Sequence, residues 1–290
     1  MRTLGDPEDQ GSYLIGFFCD TPMIGSGYFA MLQVGLIAAC RRWKCSLLVE
    51  AFDFVEADPR DQIARLLGRW PLRGVVIPEP MCDRQDVLEA LFSAGLPVVR
   101  IAPHRDTSRT FDICIDHRQA AFDVTRHLIG LGHTRIGFIK GPANHGDANV
   151  RFDGFCSAMA QSGLPVIPEL CVPSRSFDYS SGIPAAQQLL SITPLPTAVF
   201  ACNDELAAAF LATATGLGFR IPDDISLAGF DDAPLARIVR PQLTTCRQKM
   251  ELTGYNAVDF IMNPPTSQEA YRRSQPHELV IRESTARPKS

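Results

Sequence analysis

Residues Thr197–Asp232 read TAVFACNDELAAAFLATATGLGFRIPDDISLAGFDD. Val199, Phe200 and Ala201 form a short apolar run that suits a buried strand. Asn203 and Asp204 follow, and Asp204 is placed to accept a hydrogen bond from the first free N–H groups of a helix. Leu206, Phe210 and Leu211 recur at helical spacing, Gly218 lies just past them, and Pro222 blocks continuation. Ile225–Phe230 is the next apolar strand, ending in Asp231 and Asp232. A crossover of this length joins parallel strands. Asn203 and Asp231 therefore share the carboxyl edge of one sheet, where open α/β folds bind ligands.

The same alternation extends outward in both directions. Strands are expected at Tyr13–Phe18, Ser46–Phe52, Gly74–Ile77, Pro97–Ile101, Ile113–Ile115 and Arg135–Lys140. Between them lie helical stripes at Tyr28–Trp43, Arg84–Ala94, Gln119–Leu131 and Arg151–Ser162, then Ser181–Leu190. Strict alternation implies parallel sheets covered on both faces. The pattern restarts near Gly132, so two similar halves are expected, a helix Met250–Met262 returning to one and a strand Glu278–Ile281 to the other.

The chain has 290 residues, 46% hydrophobic and 21% charged, enough for two ordinary domains, and a formal net charge of -4. No Lys/Arg cluster lines a face, so these residues make a poor nucleic-acid surface. The cysteines at 19, 40, 45, 82, 114, 156, 171, 202 and 246 form no C-x-x-C pair; they read as buried hydrophobes in a reducing cytosol. The opening MRTLGDPEDQGS lacks an apolar leader core, and no apolar run approaches membrane length, so a cytoplasmic chain is expected, without membrane contact. A transport-type binding protein would need the export signal that this opening does not supply.

Enzyme chemistry finds little support. Gly25-Ser26-Gly27-Tyr28-Phe29-Ala30 has the spacing of a dinucleotide fingerprint, with Glu50 ending the next strand, and leaves an NAD(P)-dependent enzyme as the alternative. Against it, Cys19–Ile24 separate the first strand from the first glycine, where a Rossmann turn follows its strand at once. G-x-S-x-G is absent, and His104, His117, His127, His133, His145 and His277 show neither metal spacing nor a nucleophile beside them. No catalytic group, cofactor or metal is expected.

Polar groups at strand and helix ends, Asp116, Arg151, Asn203, Asp231 and Gln248, suit a polyhydroxylated ligand. Each hydroxyl both donates and accepts, so carboxylate and amide oxygens take its proton while guanidinium and amide N–H groups meet its lone pairs. Tyr28, Phe29 and Phe177 would wall the apolar ring faces. Singly, each has a plain structural alternative: an Asx turn for Asn203, an ion pair with Asp153 or Glu169 for Arg151, core filling for Phe177.

HLIGLGHTRIGFIKGP at 127–142, RFDGFCSAM at 151–159, PTAVFACNDELAAA at 196–209, GFRIPDDISLAGFDD at 218–232, PQLTTCRQ at 241–248 and ELVIREST at 278–285 together resemble the LacI/GalR (lactose-repressor-like) family of bacterial transcription regulators. The resemblance runs from about Tyr13 to near the end of the chain. It implies two doubly wound α/β lobes joined by several crossovers, similar to type I periplasmic sugar-binding proteins, with an effector held between them. The implied lobes are 13–132 plus 246–264 and 133–245 plus 276–286, with a disordered remnant at 1–12 and a tail at 287–290.

By matching position, Arg151, Asn203 and Asp231 resemble the family's contacts to effector hydroxyls, and Asp116 and Gln248 its more variable ones. Phe177 falls at an aromatic platform, Tyr28, Phe29 and Leu32 on the first helix, and Arg100 and Asp83 at strand ends of the first lobe. The resemblance further implies a small sugar or sugar derivative as effector, a homodimer, and control of operator DNA through a helix-turn-helix head. Only a dozen residues precede the first strand, so that head is expected in a longer parent protein, the alternative being a regulator-like binder without a DNA-binding head. Leu66, Leu67 and Trp70 are one candidate dimer surface.

Overall fold

The structure, a computed structural model, describes residues 13–53, 58–266 and 271–289; the remnant expected at 1–12 lies outside them. Each of two compact units is a sheet covered by helices.

Among the described residues, the first unit comprises those within 13–24, 29–114 and 250–273. Its strands are β1 (Leu14–Asp20), β2 (Ser46–Phe52), β3 (Leu72–Pro78), β4 (Val98–Ile101), β5 (Phe111–Ile115) and β11 (Arg272–Gln275), in the order β11-β5-β4-β3-β1-β2. The β2-β1-β3-β4-β5 ladder is parallel throughout. Its helices are α1 (Gly27–Trp43), α2 (Pro59–Arg69), α3 (Gln85–Ser93) and α9 (Met250–Met262). The crossing of α1 and α9 depends on two glycines: a Cβ on Gly35 would stand 1.8 Å from the Glu251 carbonyl oxygen, and one on Gly254 would stand 2.2 Å from that of Leu32.

The second unit comprises 25–28, 115–249 and 274–290. Its sheet orders β12-β10-β9-β8-β6-β7, from β6 (Ile136–Lys140), β7 (Cys171–Pro173), β8 (Ala198–Ala201), β9 (Ser226–Asp231), β10 (Thr244–Gln248) and β12 (His277–Val280). All pairs are parallel except β10 with the edge strand β12. Helices α4 (His117–Gly130), α5 (Gly146–Gln161), α6 (Tyr179–Leu190), α7 (Asp204–Gly216) and α8 (Pro234–Ile238) complete it. The core centres on Phe138, whose ring meets those of Phe152, Phe155 and Phe200 at 4.9 to 5.3 Å between centroids.

The lobe boundary differs from the sequence expectation. α4 belongs to the second unit, although the restart of the pattern placed it in the first. The cause is its packing on α5, where a Cβ on Gly154 would come within 2.2 Å of the Arg118 carbonyl oxygen. Leu66 and Leu67 pack partly buried against the first unit's core, leaving only Trp70 of that proposed surface exposed. Among the described residues no helix is long and apolar enough to cross a membrane.

Candidate functional site

The carboxyl ends of β6, β8, β9 and β10 bring the second unit's polar residues to one edge. Arg151 rises from the first turns of α5 and is 4% exposed. Its Nη1 donates to the Cys202 carbonyl at 2.8 Å and its Nε to His117 Nδ1 at 3.2 Å. The guanidinium lies over the Phe230 ring, 4.0 Å from its centroid, and Phe177 is 5.9 Å away on the same cation. Arg151 Nη2 stands 3.7 Å from Asp231 Oδ1, beyond hydrogen-bond length.

Asp231 ends β9 with φ at 110°, a conformation that Asp tolerates better than most residues. It is 3% exposed, and burial pushes its carboxyl up to about 7. Arg151 and the hydrogen bond from Gln248 Nε2 oppose that rise, while Glu205 and Asp147 reinforce it. Gln248 is buried at the end of β10, and its Oε1 has no hydrogen-bond partner among the described residues.

Asn203, rather than Asp204, caps α7: its Oδ1 accepts from the Leu206 N–H at 3.0 Å, and its Nδ2 donates to the Phe177 carbonyl and to Glu205 Oε2. Asp204 is the first helical residue and fully buried. It accepts from the Thr245 hydroxyl at 2.7 Å and the Ala233 N–H at 2.8 Å, and burial pushes its carboxyl well up. Gly229 admits it, since a Cβ there would sit 2.2 Å from Asp204 Oδ1. Asp232 is held by Arg237, Arg247 and Arg282, whose hydrogen bonds keep its carboxyl below the ordinary range despite burial. Of the two terminal carboxylates, then, one is structural.

Phe177 lies half-buried against Gly141, where a Cβ would meet its ring at 2.6 Å. Tyr28 groups with this unit and is half-buried, while Asp116 is exposed and caps α4 through the Gln119 N–H at 2.9 Å. The first unit departs further from expectation. Phe29 is buried and stacked on Phe17 at 5.5 Å, and Leu32 is buried too, so both serve the core. Arg100 is 0% exposed: it forks onto Asp112 at 2.9 and 2.7 Å and reaches Thr110 and Asp83 at 3.0 Å. Asp83 Oδ2 also accepts the His104 N–H at 2.6 Å. Neither of this pair is disposed toward a ligand, because internal partners occupy both.

Residues that the sequence reading did not select also stand at these edges. In the second unit they are His117 and Asp147, with His117 Nε2 3.3 Å from Asp147 Oδ2. In the first they are Asp20, raised to about 6 chiefly by burial, and Glu79, whose Oε2 lies 3.2 Å from His104 Nε2. Asp20, Glu79 and His117 sit at or within two residues of a strand end, and Asp147 lies in the first turn of α5, four residues before Arg151; those placements are the signals that could have found them. Within either unit taken alone, no three His, Cys, Asp or Glu side chains among the described residues converge closely enough to hold a metal ion. The glycine string is also unlike a dinucleotide turn: α1 starts at Gly27, seven residues past the end of β1, and the Gly27 N–H donates to the Glu205 carboxylate at 2.8 Å, where a pyrophosphate would need an open amide.

A family profile described as a periplasmic binding protein-like domain matches residues 125–285. Catabolite control protein A of Priestia megaterium is 31% identical over 271 residues, covering 91% of this chain and 80% of that protein. This chain belongs to the LacI/GalR family of transcription regulators. Another member, the HTH-type transcriptional repressor PurR of Haemophilus influenzae (strain PittEE), is 32% identical over 216 residues, 72% of this chain; the chain spans 63% of its length. Among solved structures, a LacI family transcriptional regulator from Mycobacterium smegmatis superposes with a TM-score of 0.78 at 28% identity, covering 95% of this chain and all of that one. The regulator CelR, in complex with cellobiose, gives 0.82 at 25% identity, covering 93% of this chain and 84% of that one. The chain is thus the effector-binding core of a LacI/GalR regulator, built on the periplasmic-binding-protein-like fold.

Proposed function

We propose that this core binds a small sugar or sugar derivative at the carboxyl edge of the second unit, and that binding controls operator DNA recognition by a helix-turn-helix head. The observation that carries the ligand class is the set Arg151, Asp231 and Gln248. The 3.7 Å between guanidinium and carboxylate leaves both short of a mutual hydrogen bond, and Gln248 Oε1 is an acceptor without a donor among the described residues. A hydroxyl entering there accepts from Arg151 and donates to Asp231 or Gln248, which a purely apolar ligand could not do. Phe177 offers a face for the sugar's C–H surface. Asn203, already bonded on both ends, contributes through its position beside Phe177 and Glu205.

The cellobiose bound to one structural neighbour supports a carbohydrate, and the designation of relatives as HTH-type repressors supports the DNA head. The protein acts in the cytoplasm as a homodimer and performs no chemical step. Its output is a shift between states that bind operator with different affinity, so the effector must bind those states unequally. Calorimetry against aldopentoses, aldohexoses and cellobiose tests the reading. The expected result is binding by one of them that Asp231→Ala abolishes; full affinity in that variant would overturn the site assignment. Sedimentation analysis tests the dimer.

A further inference from the structure

We infer that His117 and Asp147 are positioning residues that aim Arg151, so that an Asp147–His117–Arg151 chain sets the geometry of the effector clamp. This rests on the reading of Arg151 as that clamp.

An arginine side chain carries only donors. The Arg151 Nε–H therefore donates to His117 Nδ1 across 3.2 Å, and that nitrogen must present its lone pair. The assignment fixes the ring as the neutral Nε2–H tautomer, since an imidazolium has no acceptor. Nε2 then faces Asp147 Oδ2 at 3.3 Å, a distance at which the carboxylate's charge favours a proton on that nitrogen although the geometry is not that of a hydrogen bond, and Asp147 precedes Arg151 by four residues on α5, on the same helical face. Phe230 supports both members: His117 lies against its ring at 5.8 Å with planes inclined 27°, and the guanidinium lies over it at 4.0 Å.

The arrangement restricts Arg151 strongly. Nε is tied to α4 through His117, Nη1 is tied to the carbonyl of Cys202 just past β8, and one face is covered by Phe230. What remains is Nη2, directed to the gap beside Asp231. Without the His117 acceptor the guanidinium would keep only the Cys202 carbonyl and the Phe230 face, and Nη2 would be aimed less tightly. A fixed donor loses less entropy when a ligand hydroxyl arrives, which is how a residue without ligand contact alters affinity.

Two substitutions separate this role from packing. His117→Asn keeps an oxygen near the Nδ1 position; His117→Phe keeps the ring against Phe230 and removes the acceptor. If His117 positions Arg151, Asn retains affinity for the sugar identified by calorimetry and Phe loses about tenfold or more, the range typical of residues that orient a ligand-holding group. The reverse order, Phe tolerated and Asn not, would overturn the proposal in favour of packing. A second measurement needs no effector. Nitrogen-15 correlation spectra of the wild-type ring at pH 7.5, assigned by the peaks missing in His117→Asn, should show Nε2–H with Nδ1 unprotonated. An Nδ1–H tautomer or an imidazolium would refute the chain. If no sugar bound wild type the functional reading would fail, while the tautomer would still decide the positioning.

Discussion

Replacing Asp231 by Asn should stabilise the effector-free protein, by an amount that grows with pH. The carboxyl is buried, and its ionisation is held up to about 7 in the fold, whereas an unfolded chain ionises it near 3.9. Between those values the folded state holds a proton that the unfolded state has released, so wild-type stability falls as pH rises from about 4 to about 7 and levels off above. Three units of separation correspond to about 4 kcal/mol at the upper limit. Asn resembles the protonated acid at every pH, tolerates the positive φ, and still accepts from Gln248. The variant and wild type should therefore melt together near pH 4 and diverge to a plateau above pH 7. At roughly 2–4 °C per kcal/mol the plateau is on the order of 10 °C. Calorimetric melting of both proteins at pH 5, 6, 7 and 8 without effector measures it. A difference independent of pH, or a variant less stable than wild type at pH 8, would show that Arg151 holds the carboxylate ionised and would refute the reasoning.

Gly35→Ala should destabilise the first unit by about 3 kcal/mol or more, read by urea denaturation, because a Cβ cannot sit 1.8 Å from the Glu251 carbonyl oxygen without separating α1 from α9. Asp232→Ala should cost about 2 kcal/mol by stranding the mostly buried Arg282, below the range for wholly buried pairs because Arg237 is 58% exposed. Asp232 is lowered in the fold, so its contribution is present above the unfolded value and lost as pH falls through the folded one; the Asp232→Ala penalty should shrink in acid melts. Arg100→Met should leave sugar affinity unchanged, measured by calorimetry, and alter stability alone, since its guanidinium is spent on Asp112, Thr110 and Asp83.

The elements readable from sequence were those whose burial writes a period. β1 and β9 are near-continuous apolar runs, as doubly covered parallel strands must be, and α1 and α7 carry stripes long enough to identify. β7 has three residues and α8 five, too few for either period, and α2 has only Pro59 and Ile63 buried. At the site, position along a strand was legible while neighbours across the sheet were not. Arg100 and Asp231 both end strands in the sequence reading, yet Asp112 stands on the strand beside Arg100 and neutralises it. His117 and Asp147 escaped notice because their relation to Arg151 joins two helices; only the four-residue spacing of Asp147 and Arg151 was visible beforehand.

The two buried arginines show what separates a structural charge from a ligand-binding one. Arg100 forks onto one carboxylate, reaches a second, and takes a hydroxyl, so its desolvation is met inside the unit. Arg151 has a carbonyl, an imidazole and an aromatic face, and its nearest carboxylate stands at 3.7 Å. Around it gather a raised carboxyl at Asp231, another at Asp204, a positive φ and an unpartnered amide oxygen. Each is a local cost, and costs of this kind collect where a fold is shaped for something it does not itself contain. A hydroxyl that accepts from Arg151 and donates to Asp231 would favour the ionised carboxylate, and a second hydroxyl could supply the donor to Gln248 Oε1. It follows that effector binding should release a proton near pH 6 and not at pH 9, where Asp231 is already ionised; equal heats in buffers of different ionisation enthalpy at pH 6 would contradict this.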